Sequence, residues 1–101
     1  MYTPLPFVLF NIGLSDPEVL LYAHLANYGA AKDPIMASNK ELLRITGWSQ
    51  KKLLTTKKLL SDKYILIITR LQNEDGGNTV NSYLLCSQDH LDNIFLSQNT
   101  L

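Results

Sequence analysis

Cysteine is almost missing from this chain: Cys86 stands alone among 101 residues. A single thiol excludes an internal disulfide and a zinc site built on cysteines. A reducing, cytoplasmic setting is the simpler expectation. No apolar run is long enough to cross a bilayer, so no membrane partner is expected. The apolar stretch Leu5 to Phe10 has no basic residue ahead of it and is interrupted by Pro6, with Pro4 just before it; it does not read as a secretory signal. Net charge is missing as well, with nine basic residues against nine acidic ones.

Catalytic constellations are also lacking. His24 and His90 have no partner at ligand spacing. Ser49 has no histidine in a triad arrangement, and Asp89 and Asp92 suit the start of a helix better than an acid–base pair. Gly76-Gly77 lacks the helix that a phosphate loop requires. The expectation is a protein that is not an enzyme and that carries no cofactor or metal.

What remains is enough for one compact domain. The hydrophobic share is 46%, including one tryptophan, five tyrosines and three phenylalanines. The zero net charge hides a strong asymmetry. Between residues 40 and 63 lie Lys40, Arg44, Lys51, Lys52, Lys57, Lys58 and Lys63, opposed only by Glu41 and Asp62. That segment carries +5 and the rest of the chain −5, so the field is directional and an anionic partner belongs at the basic block.

Local signals divide the chain into an arm (residues 1–14), a central domain (residues 15–86) and a C-terminal helix with its tail (residues 87–101). The prolines predict an extended arm. Ser15-Asp16-Pro17-Glu18 is a capping box with proline in the first turn, and it predicts a helix ending at Gly29. That helix is apolar on most faces, which places it centrally. A short strand at Ile35 to Ala37 follows. Ser38-Asn39-Lys40-Glu41 repeats the capping box and predicts a second helix over 39–46, closed by Gly47. Ser49 caps a third helix from Gln50 to about Ser61, with Leu53, Thr56 and Leu60 on its buried face. Lys51, Leu54, Thr55 and Lys58 lie opposite. Lys52 and Lys57 flank the buried stripe, where their stems pack while the ammonium groups reach water. The period then changes from helical to alternating. Tyr64 to Gln72 and Thr79 to Cys86 read as a β-hairpin around the turn Asn73 to Asn78. Cys86 reads as a small buried hydrophobe. Trp48 is expected to plug the core between the second and third helices, and Tyr22, Tyr28, Tyr64 and Tyr83 to lie in the core or at its edge. A last helix is expected over 89–97, with Leu91, Ile94 and Phe95 as its apolar face.

Helix, strand, helix, tight glycine turn, basic helix and hairpin is the order of a winged helix-turn-helix: an α+β fold with a three-helix core, a hairpin wing and here a short C-terminal helix. In such a fold the third helix enters the major groove of double-stranded DNA. Gln50, Lys51, Thr55 and Lys58 supply donors for base edges and phosphates, and Leu54 an apolar contact for a thymine methyl. Ser38, Asn39, Lys40, Arg44 and Lys52 are the expected phosphate contacts, with Ser49 at the cap and Arg70 on the wing. Glu74 and Asp75 make the wing tip acidic.

The block Ser38 to Leu66 resembles the winged helix-turn-helix domains of plasmid and phage replication proteins, the RepA-type initiators and the DnaD-type primosomal proteins. "YTPLPFVLF…GLSDPEVLLYAHL", "ELLRITGWSQKKLLTTKKLL" and "GGNTVNSYLL" resemble their arm and first helix, their helix-turn-helix and the strand leaving their wing. The resemblance spans roughly residues 2 to 86. It implies sequence-specific duplex binding in plasmid or phage replication or its regulation, often as a dimer. These 101 residues depart from that pattern at Leu43, where a small residue is common, at Tyr64, near which those proteins carry a glycine, and in not spanning the second domain into which those proteins usually continue, which leaves an isolated domain, part of a longer chain and a stand-alone regulator all open.

Other readings stay open. The lysine run also fits an ordinary solvated face. A winged helix can instead serve as a protein-interaction module within a replication or transcription complex, which the neutral charge and acidic tip favour. The apolar arm and tail either cover the first helix or form a homodimer interface.

Overall fold

The computed structural model describes residues 5–71 and 80–99. The turn expected over Asn73 to Asn78, with the acidic Glu74 and Asp75, lies outside the described residues.

A 3-10 helix at Phe7–Asn11 comes first, then α1 (Asp16–Asn27), β1 (Ile35–Ser38), α2 (Asn39–Thr46), α3 (Gln50–Asp62), β2 (Leu66–Arg70), β3 (Val80–Leu85) and α4 (Gln88–Asn99). The three strands form one antiparallel sheet in the order β1-β3-β2. Ile35 pairs with Tyr83 and Ser38 with Val80, while Leu66 pairs with Leu85 and Arg70 with Asn81. This is the α+β winged-helix arrangement, with α1, α2 and α3 packed together, β2 and β3 as the strands of the wing, and α4 added at the end.

Both capping boxes form. Ser15 donates from its backbone N–H and its hydroxyl to Glu18 Oε1, at 3.1 and 2.8 Å. The Glu41 N–H donates to Ser38 Oγ at 3.1 Å, and the Ser38 N–H returns the bond to Glu41 Oε1 at 3.4 Å. Each box satisfies donors that a helix start otherwise leaves open. α1 ends as its glycine predicts. Gly29 takes φ 96°, its N–H bonds Ala26 O at 3.0 Å, and the Ala30 N–H bonds Leu25 O at 3.0 Å.

The core lies between the helices and the inner sheet face. Leu21, Leu25, Leu42, Leu53, Leu60, Leu66, Tyr83 and Leu91 are buried there. α1 contacts α2, α3 and β3, which fits its near-uniform apolarity. Cys86 is half-buried against this core, and burial pushes its thiol up to about 11. Burial likewise raises the Tyr22 phenol to about 12.

Three expectations need correction. Within the arm, Phe7–Asn11 is not extended but forms the 3-10 helix. Pro6 occupies the N-cap of the 3-10 helix at φ −60°, where a missing N–H costs no helical bond, and Leu9 and Ile12 are buried behind it. Tyr28 and Tyr64 are not core residues, being 55% and 74% exposed. Tyr28 is the C-cap of α1, and Tyr64 sits at φ 58°, in the left-handed turn that ends α3. That turn delays the strand, which begins at Leu66. Finally, α4 runs longer than its apolar pattern alone predicts, and Gln98 Nε2 ties it to Ile12 O at 2.9 Å.

Candidate nucleic-acid interface

The turn between α2 and α3 is three residues long and held from both sides. Gly47 takes φ 70°, and its N–H bonds Leu43 O at 2.9 Å. Thr46 Oγ1 donates to Leu42 O at 2.8 Å and accepts from the Trp48 N–H at 3.3 Å. Ser49 Oγ then accepts from the Lys52 N–H at 3.2 Å and opens α3. Trp48 is half-buried against the core, as expected, and Lys52 Nζ stands 4.8 Å from its ring centroid.

This turn aims one face of α3 at solvent. Gln50, Lys51, Lys52, Leu54, Thr55 and Lys58 are exposed, while Leu53, Thr56 and Leu60 are buried on the other side. Thr56 meets its own burial by donating to Lys52 O at 2.7 Å. Lys58 forms an ion pair with Asp62 at 3.1 Å, and both side chains are largely in water, so the pair binds them weakly. Beside this face an open cleft of about 340 Å³ separates α3 from the N-terminus of α1, lined by Ser15, Pro17, Ser49, Lys51, Lys52 and Thr55 among others. Next to Pro17 in the chain, Glu18 is buried and accepts from Lys63 Nζ at 2.7 Å. Burial alone would raise the Glu18 carboxyl. The Lys63 ammonium and the Ser15 donors outweigh it and hold the carboxyl below its ordinary value.

The expected phosphate contacts divide. Lys40 and Arg44 are exposed on α2, and Arg70 is exposed at the end of β2. Asn39 is half-buried, and Ser38 is buried with its hydroxyl engaged in the capping box. Lys57 differs from its expected position. Its ammonium does not reach water: the residue is 6% exposed, and Nζ donates to Tyr83 Oη at 2.7 Å and to Asn39 Oδ1 at 2.8 Å. Asn81 Nδ2 joins them through Tyr83 Oη at 3.2 Å. Helical spacing carried the signal, because Lys57 follows Leu53 by four residues and precedes Leu60 by three, on the buried stripe. The expectation that a lysine flanking the stripe packs its stem and carries its ammonium to water hid it. Asn81 and Tyr83 had no such signal, since the pairing comes from the fold.

Among the described residues no group of histidine, cysteine and acidic side chains is placed to hold a metal, and no helix is long and apolar enough to cross a membrane.

No protein-family model matches the chain, and no curated protein matches it. Among solved structures, it is similar to a possible transcriptional regulator from Methanosarcina mazei Go1, with a TM-score of 0.64 over 89% of this chain and 72% of that one. Identity is 16%, so the likeness is one of fold alone.

Proposed function

We propose that the chain is a sequence-specific double-stranded DNA-binding protein that reads the major groove with α3. The carrying observation is the division of α3 into a buried apolar face and an exposed face bearing Gln50, Lys51, Thr55 and Lys58. In this reading those four side chains and Leu54 meet base edges, with Ser49 at the start of the helix. Asn39, Lys40, Arg44 and Lys52 contact phosphates beside the capped Ser38, and Arg70 follows from the wing. Resemblance to plasmid and phage replication proteins supports a setting in replication or its regulation. Likeness of fold to a possible transcriptional regulator supports the regulatory side. A single half-buried thiol suits a reducing cytoplasm.

A second copy of the chain is the proposed partner at the 3-10 helix and α4, where Phe7, Phe10 and Leu96 are exposed at 83%, 59% and 60%. A replication protein is the other partner that the resemblance supports.

The test is a gel-shift titration with mixed-sequence duplex. Binding should weaken steeply with salt. Lys51→Ala combined with Lys58→Ala should abolish the retarded band while the thermal melt stays in place. An unaltered shift in that variant sinks the assignment of α3. Selection from a random duplex library then reads the site, and a palindrome establishes the dimer.

One observation favours a second reading, a protein-interaction module. A cleft of about 280 Å³ between α1, β1 and α2 is flanked by the exposed Tyr28 and Met36. Absence of any duplex affinity at low salt would point there.

A further inference from the structure

Lys57 is a buried cation without a counter-ion. No carboxylate lies within ion-pair distance of it among the described residues, since the ion pairs there are Lys58 with Asp62 and Lys63 with Glu18. A phenol and a carboxamide satisfy two of its three N–H groups but neutralise nothing. The Tyr83 ring adds a cation–π contact at 5.0 Å. Burying a charge on these terms is costly, and an apolar side chain of similar length would fill the space at lower cost. The arrangement therefore calls for a role other than stability.

Its geometry supplies one. An ammonium has donors only, so the oxygen of the Asn39 carboxamide must face inward to Lys57. The amide nitrogen is on the opposite arm of the same planar group and is turned away from the ammonium. Among the described residues Asn39 Nδ2 has no hydrogen-bond partner. Asn39 is the first residue of α2, half-buried, beside the exposed Lys40 and eleven positions ahead of the first residue of α3. The same ammonium ties α3 to β3 through Tyr83, whose oxygen also accepts from Asn81. One buried charge thus fixes the recognition helix, the start of α2 and a wing strand relative to one another.

We propose that Lys57 is a positioning residue for a phosphodiester contact made by Asn39. It turns the Asn39 amide N–H groups outward as donors to the DNA backbone. Its unneutralised charge strengthens their pull on an anion, since a donor polarised by a neighbouring cation binds anions better. Lys57 itself touches no phosphate. The proposal rests on the duplex-binding reading above.

A double-mutant cycle tests it, using the full chain and a fluorescently labelled mixed-sequence duplex at low ionic strength, read by anisotropy. Asn39→Ala and Lys57→Met should each weaken binding about tenfold, the scale of one hydrogen bond to a charged group. The double variant should bind no more weakly than either single one. Losses that multiply to about a hundredfold, or a Lys57→Met variant that binds like the wild type, would overturn the proposal. A merely structural role would move the melting temperature and would leave the two losses independent. If Lys57→Met does not fold, Tyr83→Phe takes its place in the cycle. It keeps the buried ring and removes the oxygen that holds the ammonium, and its loss should likewise vanish in the Asn39→Ala background. A wild-type chain with no duplex affinity fails at the earlier step and overturns the DNA reading itself. A binding wild type with independent losses overturns only the role of Lys57.

Discussion

α1 and α3 begin and end alike yet present different surfaces. Each starts at a serine in extended conformation, Ser15 or Ser49, and each closes with a residue in the left-handed region, Gly29 or Tyr64. Between those ends α1 buries Leu21, Tyr22, Leu25 and Ala26 against α2, α3 and β3. α3 buries Leu53, Thr56, Lys57 and Leu60 and leaves Lys51, Thr55 and Lys58 in water. The contrast separates two tasks within one small core. α1 packs against three other elements and is covered over most of its length, whereas α3 keeps a continuous exposed face that is open to a partner.

If that division is right, the buried leucines of the two helices should matter equally for stability, and of the two helices only α3 should present side chains that touch the partner directly. Leu25→Ala and Leu53→Ala remove side chains that are 1% and 0% exposed. Each should cost about 3 kcal/mol in urea unfolding, from lost transfer energy plus the cavity left behind. A much smaller loss for Leu53 would mean that α3 is less firmly docked than α1, and the comparison would break.

The one ion pair that joins the two helices sharpens it further. Glu18 caps α1 and reaches Lys63 at the C-cap of α3. Lys63 is 38% exposed, so solvent screening discounts the pair, and Glu18→Gln should cost about 1–2 kcal/mol near neutral pH. The folded state holds the Glu18 proton less tightly than the unfolded chain does, because the carboxyl is held below its ordinary value. Its stabilisation is therefore present at and above ordinary carboxylate pH and disappears as pH falls through the lowered folded value. Urea midpoints of wild type and variant should converge in that acidic range. A constant gap down to strong acid would show that the cap geometry matters and the charge does not.

The comparison also shows what a sequence discloses. The serine caps at Ser15, Ser38 and Ser49, the glycine stops at Gly29 and Gly47 and the buried stripes were legible, because each is a local rule about φ, a free N–H or helical spacing. The strands were legible by period, but their order β1-β3-β2 was not, since pairing depends on contacts far apart in sequence. In the candidate site, the exposed face of α3 followed from spacing alone. The same spacing puts Lys57 on the buried stripe but says nothing of its partners, because Asn39 and Tyr83 come from α2 and β3, and only the fold brings a lysine, an amide and a phenol together. The 3-10 helix was hidden for the opposite reason. Pro6 reads as a helix breaker wherever it stands, and its position at the N-cap is what makes it harmless.

At the start of α3, Gly47 sets the angle between the two helices of the turn. Its φ of 70° is in the left-handed region, and an added Cβ would meet nothing within 4 Å. Gly47→Ala should therefore cost only the backbone penalty, about 1 kcal/mol, with a small drop in thermal midpoint. A larger loss would indicate that the turn rearranges rather than strains.

The smallest effect should appear at the other end of α3, and with the opposite sign. The two helices close by the same pair of bonds. At α1 these run from Gly29 to Ala26 and from Ala30 to Leu25; at α3 they run from Tyr64 to Ser61 and from Ile65 to Leu60, and all four are 3.0 Å. The pivot is a glycine in the first and a tyrosine at φ 58° in the second. Tyr64 is 74% exposed, so its ring recovers little of what that conformation costs. Tyr64→Gly removes about 1–2 kcal/mol of left-handed strain and adds about 0.5–1 kcal/mol of unfolded-chain entropy. The variant should be more stable by about 0.5 kcal/mol, a difference resolved by paired urea titrations. Duplex binding should not change, because Tyr64 lies beyond the last turn of α3, whereas the proposed contacts crowd its first turns. A destabilised variant would mean that the exposed ring makes a contribution its burial does not show, and that the likeness between the two helix ends stops at their hydrogen bonds.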